Sequence, residues 1–208
     1  MSNFTLSPWG YAIDAESIPN FLTPADFQAF TGSKFSIADS RIVANIPSAS
    51  ASIRNYCGWH IAPNLLCSMT YNIRDLRDAF IGPDLLIQLP ATHVTAITKV
   101  EIDGEELTEY EIGMGTGLLR VYDVGCRDRK SKITIEYRAG YPDGQISVIK
   151  ELASNLVTHS LTNTFGVNSE AAGGVSVSYN SAWTGRGATS LSNDTREVLE
   201  PYKVKGVF

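Results

Sequence analysis

The residues of this chain with the most reactive side chains are three histidines, His60, His93 and His159, and three cysteines, Cys57, Cys67 and Cys126. Cys57 and His60 stand at C-x-x-H spacing, with Cys67 as a conceivable third ligand. A four-ligand zinc site needs a second C-x-x-C or H-x-x-x-H pair, and the chain has none. Cys57 precedes Gly58 and Trp59, where core packing accounts for it, so no metal and no cofactor is expected. A hydrolase would use His159 with a nearby serine and aspartate. No G-x-S-x-G elbow supports that reading, and a structural histidine is preferred. Gly113-x-Gly115-x-Gly117 has the spacing of neither the P-loop nor the dinucleotide fingerprint, so it reads as a hairpin tip.

Charge offers a different chemistry. Glu101, Asp103, Glu105, Glu106, Glu109 and Glu111 form the densest acidic set, and their spacing matches no EF-hand loop. A solvated hairpin face is the simpler reading. Arg127, Arg129, Lys130 and Lys132 follow. Opposite patches on one module can orient a partner and speed its association more than they add affinity. The chain as a whole carries a formal net charge of −5. A general nucleic-acid binder needs a basic excess to displace counterions, which is absent here.

The positioning elements follow from composition and periodicity. The chain has 208 residues, 43% hydrophobic and 19% charged, which suits a folded protein with a core of its own. No apolar run approaches the ~20 residues of a membrane helix. The N-terminus does not read as a signal peptide, and three unpaired-looking cysteines suggest a reducing compartment. Residues 1–20, with Pro8, Gly10 and Pro19, read as an extended N-terminal arm. Thr23 caps a short helix with Pro24 at its first position. A second helical stretch covers 37–57, and Pro47 predicts a kink or a split there. Strands dominate from Trp59 to Gly140, with Asp103-Gly104 as a hairpin turn. Ile133, Ile135 and Tyr137 alternate with polar residues as in a half-buried strand. Ile146, Ile149, Ala153, Leu156, Val157 and Leu161 form the stripe of a long helix. A last short helix begins near Asp194, with Glu197 as its capping-box partner, and Pro201 ends it.

This order predicts an α+β chain. A helical bundle core, built from 21–58 and 141–200, carries an inserted small antiparallel β-domain, 59–140, with extended N- and C-terminal arms. Two segments suit an interaction protein. One is the Gly- and Ser-rich stretch from Glu170 to Gly187, where Tyr179, Trp183 and Arg186 form a possible interaction loop. The other is the tail 201–208, Pro201, Tyr202, Lys203, Val204, Lys205, Gly206, Val207 and Phe208. Its alternating residues could complete a partner's sheet edge or fill a partner's groove, with docking on the chain's own helices as the equal alternative.

The run SIADSRIVANIPSASASIRNYCGWHIAP, Ser36 to Pro63, resembles the helix-and-exit segment of tailed-bacteriophage head–tail connector proteins, also called adaptor or head-completion proteins. The closing pattern GGVSVSYNS, short helix and LEPYKVKGVF resembles them too, as does the order of helix pair, β-insertion, GYPDG turn and long helix. The resemblance implies a structural, non-enzymatic virion protein at the head–tail interface, present in the host cytoplasm during assembly. Such proteins form a ring of copies of themselves, usually twelve-fold, beneath the portal protein. They extend the channel for double-stranded DNA without sequence-specific binding and dock a neck, stopper or tail-completion protein. Carried over, Pro201 to Phe208 would contact the portal, and helices 37–57 and 145–164 would build the ring body. The competing reading is a tail accessory protein whose β-domain binds a carbohydrate or other ligand, motivated by nine Tyr, eight Phe and three Trp. A concave site shared by Trp59 and Trp183 would favour it.

Overall fold

A computed structural model describes residues 4–36, 38–124, 130–162, 169–172, 175–178 and 191–204. The chain divides into two compact units, one of residues 1–18, 58–145 and 202–208, the other of 19–57 and 146–201.

The first unit overturns the expectation of a helical bundle as the core. It holds a six-stranded antiparallel sheet ordered β1-β2-β3-β10-β6-β7 and a four-stranded one ordered β4-β5-β9-β8. The first sheet runs through β1 (Thr5–Leu6), β2 (Ala12–Ile13), β3 (Leu65–Asn72), β10 (Lys132–Ala139), β6 (Val94–Ile102) and β7 (Glu105–Glu106). The second runs through β4 (Phe80–Ile81), β5 (Asp84–Gln88), β9 (Leu118–Val121) and β8 (Tyr110–Gly113). The strands bury an apolar interior of their own. Ile133, Ile135, Tyr137 and Ala139 of β10 are all fully buried, as are Leu85, Leu119 and Val121 of the second sheet.

The extended N-terminal arm is overturned as well. Residues 5–13 form a hairpin whose second strand pairs with β3, Ile13 opposite Cys67. The physical reason is burial. Tyr11 and Ile13 go into the core, and the apolar area they remove from water outweighs the freedom a loose arm would keep.

Other elements follow the period of their residues. β10 alternates buried and part-exposed positions along its length, as its sequence implies. Asp103 and Gly104, at φ 51° and 86°, make a two-residue turn with both φ positive, the geometry that follows the twist of β6 and β7.

The second unit packs α1 (Pro24–Phe30), α2 (Ser40–Cys57), α3 (Ser147–Thr162) and α4 (Asn193–Leu199). Its interior includes Phe27, Ile42, Ile46, Ile53, Ile149, Val157 and Leu199. Thr23 caps α1 and forms a reciprocal capping box with Asp26, whose carboxyl is held below its usual pKa by the Thr23 hydrogen bonds. Of the kink or split that Pro47 predicts, the split does not occur: α2 is a single helix through it. Pro47 lies on the exposed face, and so does Val43, one turn earlier, whose carbonyl would have taken the missing N–H. At α4 the cap is Ser192, bonded to the Thr195 N–H at 3.2 Å, rather than Asp194 with Glu197. A further two-stranded sheet joins β11 (Ser169–Ala172) to β12 (Val175–Ser178).

One buried group in the first sheet stands out. Tyr137 is fully buried, and its hydroxyl has no hydrogen-bond partner among the described residues. Burial pushes its ionisation well above the ordinary tyrosine value. An unsatisfied buried hydroxyl costs about 1–3 kcal/mol. Tyr137→Phe is therefore expected to raise stability by about 1 kcal/mol, read as a higher urea midpoint at unchanged slope. A lower midpoint would contradict this.

Candidate functional site

The residues with unusual partners gather in the first unit, around the chain that leaves α2. Beyond Gly58 the backbone passes Trp59 and His60, both fully buried. At Ile61 it takes φ 65°, a region that a β-branched residue rarely enters. Such strain costs about 1–3 kcal/mol and persists only where the surroundings over-determine it. Here they do. The Ile61 carbonyl accepts the Tyr141 N–H at 2.7 Å, and Ile61 is itself fully buried.

His60 is held at both ring nitrogens. Nε2 lies 3.0 Å from the Ala139 carbonyl, which can only accept, so Nε2 carries the proton. Nδ1 then accepts from the Tyr11 hydroxyl at 2.8 Å, and that oxygen receives the His60 backbone N–H at 3.1 Å. The ring therefore ties the N-terminal hairpin to the end of β10.

Trp59 faces the C-terminal segment. Its indole N–H donates to the Tyr202 carbonyl at 2.6 Å. The Tyr141 ring meets the Trp59 ring at 6.1 Å and the Tyr202 ring edge-on at 5.5 Å. On Tyr141 the His93 ring stacks nearly parallel, at 4.2 Å and 10°. Edge-to-face and offset-stacked pairs each add about 0.5–1.5 kcal/mol beyond area burial. The root of the tail is thus clasped by one hydrogen bond and a run of rings.

The expected site residues fall as follows. Pro201 is exposed in the 3₁₀ turn Glu200–Tyr202 and is counted with the helical unit. Tyr202, Lys203 and Val204 are half-buried in the β unit. Lys205, Gly206, Val207 and Phe208 lie outside the described residues, and so do Tyr179, Trp183 and Arg186. Trp59, His93 and Tyr141 were not expected at the tail. The only hint in the sequence is that the aromatic residues flank the strand block at its two ends, Trp59 before it and Tyr141 after it.

The other candidates are distributed over both units. Cys57 and Cys67 are buried thiols, and burial pushes Cys67 up to about 12, which keeps it protonated and unreactive. No group of three or more His, Cys, Asp or Glu among the described residues could hold a metal. Burial lowers the His159 pKa. Trp59 is fully buried with its N–H held by Tyr202, so it lines no concave ligand site. The acidic and basic sets are partly engaged within the unit. Glu101 pairs with Lys99, Glu111 accepts the Tyr122 hydroxyl at 2.9 Å, and Asp103 takes the Lys132 N–H at 2.9 Å. Arg120 donates twice to Asp84, from Nε at 3.0 Å and Nη2 at 2.6 Å. Arg127 and Arg129 lie outside the described residues. No described helix is long and apolar enough to cross a membrane.

Comparison with known proteins agrees with a structural part. The profile of a family described as "Head completion protein" matches residues 20–204. No curated protein matches the chain.

Proposed function

This chain belongs to the head completion protein family, and from that premise we propose that it is the adaptor between head and tail. Family membership makes it a structural component of a phage head, part of virion assembly. The finer reading is a ring of identical copies beneath the portal protein that lengthens the DNA channel and receives a neck or tail-completion protein. Its mechanism is assembly. A head-to-tail contact repeated about an axis closes into a ring, and each copy then presents the same segment to the portal.

The observation that carries this reading is the clasp on Tyr202. The residues after it, Lys203 to Phe208, start from a point held by Trp59 and Tyr141. A segment with a fixed root loses less freedom on docking than one that hangs from a loose end. The net charge of −5 suits a wall past which DNA slides, because like charge keeps phosphates from being gripped. Trp59 is fully buried, which counts against the shared concave site that the carbohydrate-binding reading requires; Trp183 lies outside the described residues.

Electron microscopy of purified particles tests the proposal. The expected result is a ring of this chain at one vertex, between portal and tail. Its appearance at many vertices, or on the tail surface alone, would overturn the adaptor reading.

A further inference from the structure

We infer that Trp59 and Tyr141 are positioning residues for partner docking: they fix the direction in which the C-terminal segment leaves the β unit and so set its affinity for the portal. The inference rests on the reading of 201–208 as the portal-docking segment. It adds which residues outside that segment control it.

Two kinds of contact hold the root. The Trp59 indole N–H meets the Tyr202 main-chain carbonyl at 2.6 Å, which restrains the backbone rather than a side chain. The Tyr202 ring lies edge-on to Tyr141 at 5.5 Å, which restrains rotation about that point. Tyr141 is itself immobilised from three directions, by His93 stacked on its ring, by Trp59, and by its own N–H on the Ile61 carbonyl. A Cβ placed on Gly58 would lie 4.0 Å from the Val204 Cβ, so the chain still runs beside Gly58 two residues past Tyr202. A clasp made from a main-chain bond and ring packing sets where the segment begins, independent of the side chains that follow. That is the arrangement by which a short segment is preorganised for a partner.

The test uses the full chain and the portal ring of the same phage. The variants are Trp59→Phe, which keeps a ring and removes the donor, Tyr202→Ala, which removes the packed ring, and Tyr202→Phe, which keeps it. A fourth protein ends at Val204. Backbone order at Lys203 and Val204 is measured by amide relaxation in the free protein, and portal affinity is measured by titration. Trp59→Phe and Tyr202→Ala are expected to loosen Lys203 and Val204 and to weaken portal binding about tenfold, the effect of losing one net interaction of this class. Tyr202→Phe is expected to restore both readouts. A merely structural role would change the unfolding midpoint without loosening the segment and weakening binding together. If the protein ending at Val204 does not bind while Trp59→Phe and Tyr202→Ala bind as the parent does, the positioning role is overturned and the docking segment stands. If the protein ending at Val204 binds as the parent does, the docking segment itself is overturned, and the positioning role falls with it. Should Trp59→Phe fail to fold, the pair of Tyr202 variants decides alone, since Tyr202 is half-buried and its main-chain acceptor is retained.

Discussion

A chain ending at Val204 is expected to fold like the parent and to lose its attachment to portal rings. The cut removes Lys205, Gly206, Val207 and Phe208 and leaves the clasp whole. Its position matters because of what lies just before it. A cut ahead of Tyr202 would also take away the ring on Tyr141 and the acceptor of the buried Trp59 N–H. An orphaned buried donor costs about 1–3 kcal/mol, so loss of binding would then be mixed with loss of stability. Cutting after Val204 separates the two. Val and Phe side chains contribute about 1.5–3 kcal/mol each when fully buried. If the portal buries both, their removal weakens attachment by more than about a hundredfold. Co-sedimentation with portal rings measures the attachment, and a thermal scan of the free chain measures the fold. Attachment at the parent level would remove the tail from the interface.

Gly140→Ala is expected to prevent the β unit from folding normally. Gly140 has φ 121°, a conformation L residues rarely adopt, between the last residue of β10 and Tyr141. A Cβ there would run into the Pro63 carbonyl oxygen, with the Pro63 carbonyl carbon at 2.8 Å and the Asn64 Cα at 3.0 Å. All three are backbone atoms, so no side chain can swing aside. The Gly140 N–H is also held by the His93 carbonyl at 3.0 Å, which ties β10 to the start of β6. Relieving the clash must move the Pro63–Asn64 backbone, or Ala139, the acceptor of His60, or Tyr141, the support of Tyr202. Backbone strain and overpacking each cost about 1–3 kcal/mol, and here they coincide. The expected result is insoluble protein, or a thermal midpoint lower by about 10 °C or more. Gly144→Ala is the control. It has open space around its Cβ position and no positive φ, so its midpoint should stay level or rise slightly. A Gly140→Ala protein with the parent midpoint would mean that the backbone yields here cheaply.

Short-range features are legible in the sequence. Thr23-Pro24 opens α1, the stripe from Ile146 to Leu161 matches the buried side of α3, and Asp103-Gly104 turns β6 into β7. Each depends on residues a few positions apart, so local sterics and periodicity suffice. Pro47 signals a kink or a split, and of these the split does not occur: α2 continues through it, with Pro47 and Val43 on the exposed face, where water can reach the carbonyl that loses its N–H partner. The N-terminal residues mislead. Their prolines and glycine suggest an arm, but Tyr11 and Ile13 find a sheet edge that the sequence does not advertise.

The sequence by itself determined the class of function. Its run from Ser36 to Pro63 and its closing pattern resemble head-completion proteins, and the family match over residues 20–204 agrees. Within the long helices and β10 it also determined which positions turn inward, because a period of two or near four states whether a side chain faces a core. It did not determine which elements form the core. The helices carry the longest apolar stripes, yet ten strands in two sheets build an interior of their own. Nor did it determine the clasp, in which Trp59 meets a residue 143 positions away. Periodicity records that a residue is buried, and not what it is buried against. That partner is settled only when strand register, the shifts at Thr98 and Thr95 of β6 against β10, and the turn at Gly140 close the chain on itself.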